Sequence, residues 1–200
     1  MIFLFIFLVS EKYKLLSFVF LLAAVQFGIA SFQSISVQAN RKQLEKIQYY
    51  IKKDDFVVLW FGTVLPLQGV DIIMKAAKEL RHNRKIKFYI IGKTEKLNIK
   101  RDKYENVEFL GWLQDDRIAK YINSADICLA GHFNLENPRA NREIPGKAFI
   151  YKAMGQKIIL GDSEANREVF KEDNKTIFYV ERGNYKKLAE MIEKIYEAKL

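Results

Sequence analysis

The chain has few residues that could cross-link it or hold a metal. Its 200 residues include one cysteine, two histidines and three prolines. Cys128 cannot form an internal disulfide, and a lone thiol excludes both a disulfide framework and a cysteine metal site. With only His82 and His132, no H-E-x-x-H or comparable spacing exists, so no metal ligand set is expected. No G-x-S-x-G follows an apolar run, which removes a Ser-His-Asp hydrolase. The tight G-x-G-x-x-G turn is missing too, and with it the main signature of an NAD-dependent oxidoreductase. There is no internal repeat and no low-complexity linker.

What is present is a folding chain. Half the residues are hydrophobic and 15 are phenylalanine, which excludes general disorder. The length suits one complete domain plus extras better than two full α/β domains. Lys and Arg number 33 against 24 Asp and Glu, a formal charge of +9. That balance favours anionic partners such as nucleotides, phosphates or an anionic membrane face. Nucleic acid is not expected as a partner: the basic residues are scattered singly and no reader motif or aromatic-basic interleaving accompanies them.

Composition divides the chain into residues 1–40 and 41–200. Met1 to Ser10 carries no charged side chain, Glu11, Lys12 and Lys14 interrupt, and Leu15 to Phe32 is again free of charge. The second stretch reaches the lower edge of a bilayer span, so an apolar helical segment acting as a membrane anchor is the first expectation. A secretory signal and buried elements of a larger domain are the alternatives. The flanking charges nearly balance and set no orientation.

From residue 41 onward, apolar runs alternate with helical periodicity. Gln43 to Lys53 reads as an amphipathic lead-in helix. Phe56 to Phe61, FVVLWF, is apolar throughout, as a strand covered on both faces must be. Further strands are expected at Ile86–Ile91, Val107–Leu110, Asp126–Ala130, Lys157–Leu160 and Thr176–Val180. Helices are expected at Val70–Leu80, Arg117–Ile122, Lys147–Met154, Ala165–Phe170 and Asn184–Ala198. This alternation predicts an α/β fold with a doubly wound parallel sheet, its ligand crevice at the carboxyl ends of the strands.

Two loops at those ends could carry chemistry. After FVVLWF, Gly62 permits a sharp exit and Gly69 lets a ligand approach amides at a helix entrance. After DICLA comes RANREIPGK: Pro145 and Gly146 stand at a helix N-terminus, and Arg142 and Lys147 add cationic groups, so an anion is the physical expectation there. His132 lies in the same region and could contact a ligand or act in proton transfer, though as a lone loop histidine it reads first as background; His82 reads as surface. Glu136, Glu143, Asp162 and Glu168 fall near strand ends without acid–base pairing, though one of them could hold a ribose hydroxyl. No residue is singled out as catalytic.

In this order the stretches FGTVLPLQGVDIIMKAAKEL, IKFYIIGKTE, VEFLGWLQDDRIAKYINSADICLA and REIPGKAFIYKAMGQKIILGDSEANREVF resemble one family. They are similar to the donor-binding, C-terminal domain of the retaining group 1 glycosyltransferases of GT-B architecture, from Val57 to roughly Leu188. The resemblance implies a Rossmann-like fold, a single half of a GT-B enzyme, and a nucleotide-diphosphate sugar as donor substrate with no further cofactor. It places Gly62 and Gly69 against the donor diphosphate, Lys147 near it at the helix entrance with Arg142 close by, and Trp112 beside the nucleotide base. Two positions depart from the family. Gln68 stands where many members have a basic residue, and Ile150 replaces a glutamate that holds the ribose.

The resemblance also implies an acceptor-binding domain that forty N-terminal residues cannot build. A partner chain supplying it is the first expectation, and a truncated gene product the second. The function implied is sugar transfer from the nucleotide-diphosphate sugar to an acceptor held by that other domain. The alternative is a non-catalytic nucleotide-sugar-binding subunit or a degenerate transferase. A nucleotide-containing compartment points to the cytoplasm, either membrane-associated with the folded domain on that side or free of the membrane.

Overall fold

A computed structural model describes Ile51 and residues 54–94 and 104–200. The apolar N-terminal segment and nearly all of the lead-in helix expected at Gln43–Lys53 lie outside the described residues. Among the described residues, no helix is long and apolar enough to cross a membrane.

Six strands form one sheet: β1 (Phe56–Phe61), β2 (Ile86–Ile91), β3 (Val107–Gly111), β4 (Ile127–Gly131), β5 (Ile158–Gly161) and β6 (Ile177–Val180). Every pairing is parallel and the order across the sheet is β3-β2-β1-β4-β5-β6. The chain therefore builds outward from β1 to β3, then returns to β1's other side to start β4. The loops leaving β1 and β4 flank this reversal, which is the usual ligand position in such sheets.

The helices are α1 (Val70–Glu79), α2 (Asp115–Asn123), α3 (Arg139–Arg142), α4 (Gly146–Ala153), α5 (Glu164–Val169) and α6 (Tyr185–Glu197). Alternate residues of β1 face opposite ways, which explains its unbroken apolar run. Val58 and Trp60 join a core formed with α1 and α6, through residues such as Ile73, Met74, Leu188 and Ile192. Val57 and Leu59 join a second core with Ile118 and Ile122 of α2 and with Ala148 and Tyr151 of α4. Each such aliphatic side chain contributes roughly 1.5–3 kcal/mol on burial, so a polar substitution in β1 is costly on either face.

Helix starts follow local chemistry. Asp115 and Asp116 in the first turn of α2 complement its dipole, which is why the helix begins earlier than the expected Arg117. Ser163 caps α5 by accepting from the Asn166 amide at 3.2 Å, and Asn184 caps α6 by accepting from the Lys187 amide at 3.1 Å. Two short elements differ from the expected loops: a 3-10 turn at Pro66–Gln68 and the single-turn α3. Neither is long enough to show a hydrophobic period, the signal by which helices are read from sequence.

Candidate functional site

Glycines tie the carboxyl ends of the first three strands together. The Gly62 amide donates to the Ile91 carbonyl at 2.9 Å, and the Gly92 amide donates to the Gly111 carbonyl at 2.7 Å. Gly62 and Gly92 have φ of 143° and 145°, a region that side-chain-bearing residues rarely adopt. A Cβ on Gly92 would lie 2.1 Å from the Gly62 carbonyl oxygen. The floor of the crevice is consequently bare backbone over the buried ring of Trp60.

Gly69 ends the 3-10 turn and caps α1 with φ 67°. A Cβ there would lie 2.8 Å from the Asn134 amide nitrogen and from Phe133 Cβ. The need for glycine at this position comes from the loop after β4, which packs against it. Gly69 thus locks the β1 and β4 loops together, and Gly62 lies against a residue from the far side of the sheet's reversal point.

That residue is Lys147, in the first turn of α4 behind the Pro145 cap. Its side chain runs back toward the helix N-terminus, as helical side chains do. Its ammonium nitrogen donates to Gln68 Oε1 at 2.6 Å and stands 4.5 Å from the centre of the Trp60 ring. A Cβ on Gly62 would be 3.2 Å from that nitrogen, and one on Gly131 would be 3.5 Å from it. Lys147 is only 8% exposed, and burial pushes its ammonium down to a pKa of about 7.

Lys147 is therefore a buried cation held in one place. Glycines remove the side chains that would otherwise fill the site, and Trp60 and Gln68 take up the amine. Among the described residues no carboxylate pairs with it. A buried ammonium with only a neutral amide and an aromatic face for company is under-neutralised, so an arriving anion would be strongly attracted. Gln68, read from sequence only as a missing charge, is the group that aims the lysine.

The other expected residues occupy the rim. Arg142 is exposed on the last turn of α3 and pairs with none of the described carboxylates, whereas Arg139 Nε donates to Glu143 Oε1 at 2.6 Å. Trp112 follows β3 and is 61% exposed, leaving an indole open at the far edge of the crevice. Ile150 packs against the core on the α4 face. Asp162 is engaged by Arg167, whose guanidinium holds its carboxyl below the usual range and also stacks 4.4 Å from the Tyr179 ring centre. Glu136 and Glu168 are exposed. Neither they nor the paired Glu143 presents a buried, free carboxylate to a ribose.

Sequence reasoning undervalued His132. It follows Gly131 directly at the end of β4, is 3% exposed, and has φ 57°, which is uncommon outside glycine. Its Nδ1 bonds to the Glu143 carbonyl at 2.8 Å. Burial first, and then the charges of Lys147 and Arg139, push its pKa below the ordinary value despite that carbonyl bond. His82 is a surface residue as expected, held by the Glu79 carbonyl and Glu193. Among the described residues no cluster of His, Cys, Asp or Glu could hold a metal.

A six-stranded parallel sheet with its order reversed between β1 and β4, and helices packed on both faces, defines an α/β domain of the Rossmann-like class. Residues 55–198 match the family model described as glycosyl transferases group 1. The chain belongs to that family. Its fold matches one half of HepE from Anabaena, solved in complex with UDP and glucose, with a TM-score of 0.63 at 17% identity over 80% of this chain and 44% of that one. A glycosyltransferase from Rickettsia africae matches with a TM-score of 0.63 at 18% identity, over 82% of this chain and 44% of that one. The C-terminal domain of LpcC, a group 1 family protein from Francisella tularensis, matches over 79% of this chain and 83% of its own length, with a TM-score of 0.57 at 16% identity. The chain thus spans less than half the length of the first two. No curated protein matches it in sequence.

Proposed function

We propose that this domain binds the nucleotide-diphosphate sugar of a glycosyltransferase and stabilises the diphosphate as it leaves. Lys147 carries the reading. It is a buried ammonium without a carboxylate partner among the described residues, held at a helix entrance beside Gly62. As the bond between the anomeric carbon and the diphosphate oxygen breaks, negative charge grows on that oxygen. A fixed cation and the α4 N-terminus are already oriented toward it, and such preorganised groups are worth roughly 2–4 kcal/mol each in the transition state.

The remaining residues extend the same picture. The exposed indole of Trp112 offers a wall for the base, and Arg142 on the rim offers a guanidinium to the outer phosphate oxygens. With no free carboxylate at Ile150, the ribose would be held mainly by backbone. The acceptor would be held by protein outside this domain. A cytosolic setting supplies nucleotide sugars, and residues 15–32 would keep the domain at the membrane.

Calorimetric titration of the full chain with UDP, GDP and their sugar conjugates tests the reading, with Lys147→Ala beside it. Micromolar-to-millimolar binding weakened at least tenfold by the substitution is expected. A folded protein that binds none of these ligands, or binds them equally well without Lys147, would refute the donor site. Binding without turnover in the presence of an acceptor-domain partner would favour a non-catalytic subunit, which the hydrophobic Ile150 makes the second reading.

A further inference from the structure

His132 is set up as a ligand contact that the phosphate site does not use. A carbonyl oxygen can only accept, so the bond from Nδ1 to the Glu143 carbonyl fixes the proton of the neutral ring on Nδ1 and leaves the lone pair on Nε2. Nε2 makes no hydrogen bond to any described residue. The residue is nonetheless only 3% exposed. Its backbone is held in a left-handed conformation at φ 57°, and on the side of β5 its carbonyl packs where a Cβ on Gly161 would come within 2.5 Å. A backbone conformation of this kind is unfavourable outside glycine and persists only where the surroundings enforce it. An acceptor on a side chain fixed with this much structure and given no protein donor is available to a ligand donor.

The place of His132 in the sheet indicates which donor. Trp112 follows β3, Gly62 and Lys147 meet at β1, and His132 follows β4 beside β5. Strands lie roughly 4.8 Å apart, so β3 and β4 are about 14 Å apart, near the reach from a nucleobase across a diphosphate to its sugar. With the base at Trp112 and the diphosphate at Lys147, the sugar falls at His132.

We propose that His132 Nε2 accepts a hydrogen bond from a hydroxyl of the donor sugar and so contributes to recognition of the sugar, separately from recognition of the nucleotide. The proposal rests on the donor-site reading above. A hydroxyl suits this acceptor, whereas a phosphate oxygen does not: the neutral ring has no proton to offer from Nε2. Burial and the neighbouring cations favour the neutral ring.

Two substitutions in the full chain separate a sugar contact from a purely structural role. In His132→Asn the side-chain amide nitrogen overlies the original Nδ1, so the bond to Glu143 is kept and asparagine tolerates positive φ, but the outer acceptor is gone. In His132→Gln the amide oxygen can reach the place of Nε2. UDP-glucose, UDP-galactose, UDP-N-acetylglucosamine and GDP-mannose are titrated with their free nucleotides, and the readout is the ratio of Kd for the tightest conjugate to Kd for its own nucleotide. The expected result is a ratio raised about fivefold in His132→Asn and within about twofold of the natural protein in His132→Gln. An unchanged ratio in His132→Asn, whether both ligands bind normally or both weaken together, overturns the assignment. If the natural protein binds nucleotides but no conjugate, the assignment alone falls. If it binds no nucleotide at all, the donor-site reading falls and takes the assignment with it.

Discussion

Replacing Lys147 by methionine is expected to make the protein more stable while removing nucleotide binding. An unfolded lysine titrates at 10.5, and in the folded protein burial lowers this to about 7. Folding at neutral pH must therefore either bury a charge or give up a proton. Taken at about 1.4 kcal/mol per unit, the penalty is on the order of 4 kcal/mol. Methionine of similar length escapes it, but leaves Gln68 Oε1 without its donor, which returns about 1–2 kcal/mol. A net gain of roughly 2 kcal/mol corresponds to a rise in Tm of about 4–8 °C for a chain of this size.

The pH dependence of that gain has a definite sign. Between pH 7 and 10.5 the unfolded lysine binds a proton that the folded one does not, so the natural protein becomes more stable as pH rises through this window. The methionine variant lacks the effect. The two melting curves should converge toward pH 10 and stay furthest apart below pH 7. A variant less stable than the natural protein at pH 6 would show that Lys147 is a structural cation with an unseen counter-charge, contrary to the geometry described.

A second large effect is expected in the affinity itself. Below pH 7 the site is already charged, so a diphosphate binds without further protonation. Above pH 7 the free amine is mostly neutral and binding must draw in a proton. Affinity should then fall by up to about tenfold per pH unit until the bound-state pKa is reached. A nucleotide sugar is the suitable ligand, because its diphosphate diester does not titrate here. Calorimetry in two buffers of different ionisation enthalpy should report close to one proton taken up at pH 8.5 and nearly none at pH 6. Burial lowers the His132 pKa, which moves its own titration away from the range above pH 7. A flat affinity from pH 6 to 9 would mean that the amine is charged throughout or takes no part.

Much of the fold was readable in the sequence because parallel strands buried on both faces leave continuous apolar runs. FVVLWF and IKFYII are strands with the expected bounds at Phe56–Phe61 and Ile86–Ile91. The pairing of Gly62 with Lys147 was also anticipated, through the resemblance that placed both at the diphosphate. Other features depend on contacts between distant segments and leave no local pattern. Gln68 and Lys147 are separated by 79 positions, so the sequence showed that a basic residue was missing and not that the glutamine oxygen receives the lysine. The burial that lowers the lysine pKa is likewise a property of Trp60 and the glycine floor. His132 gave only a weak signal, a histidine directly after a strand-ending glycine. Its tautomer is set by a carbonyl from the loop before α4, and its strained backbone is held by β5. The short α3 was missed because RANR alone has no hydrophobic period.

The donor-site account is tested most directly by amide chemical shifts in the full chain on addition of UDP or GDP. The account predicts that the largest changes fall on Gly62, Gly69, Gly131 and Lys147, with the Trp112 indole moving more than the buried Trp60 indole. Changes centred instead on the groove lined by Tyr179, Lys187, Met191 and Lys194, or at the amino ends of the strands, would contradict it.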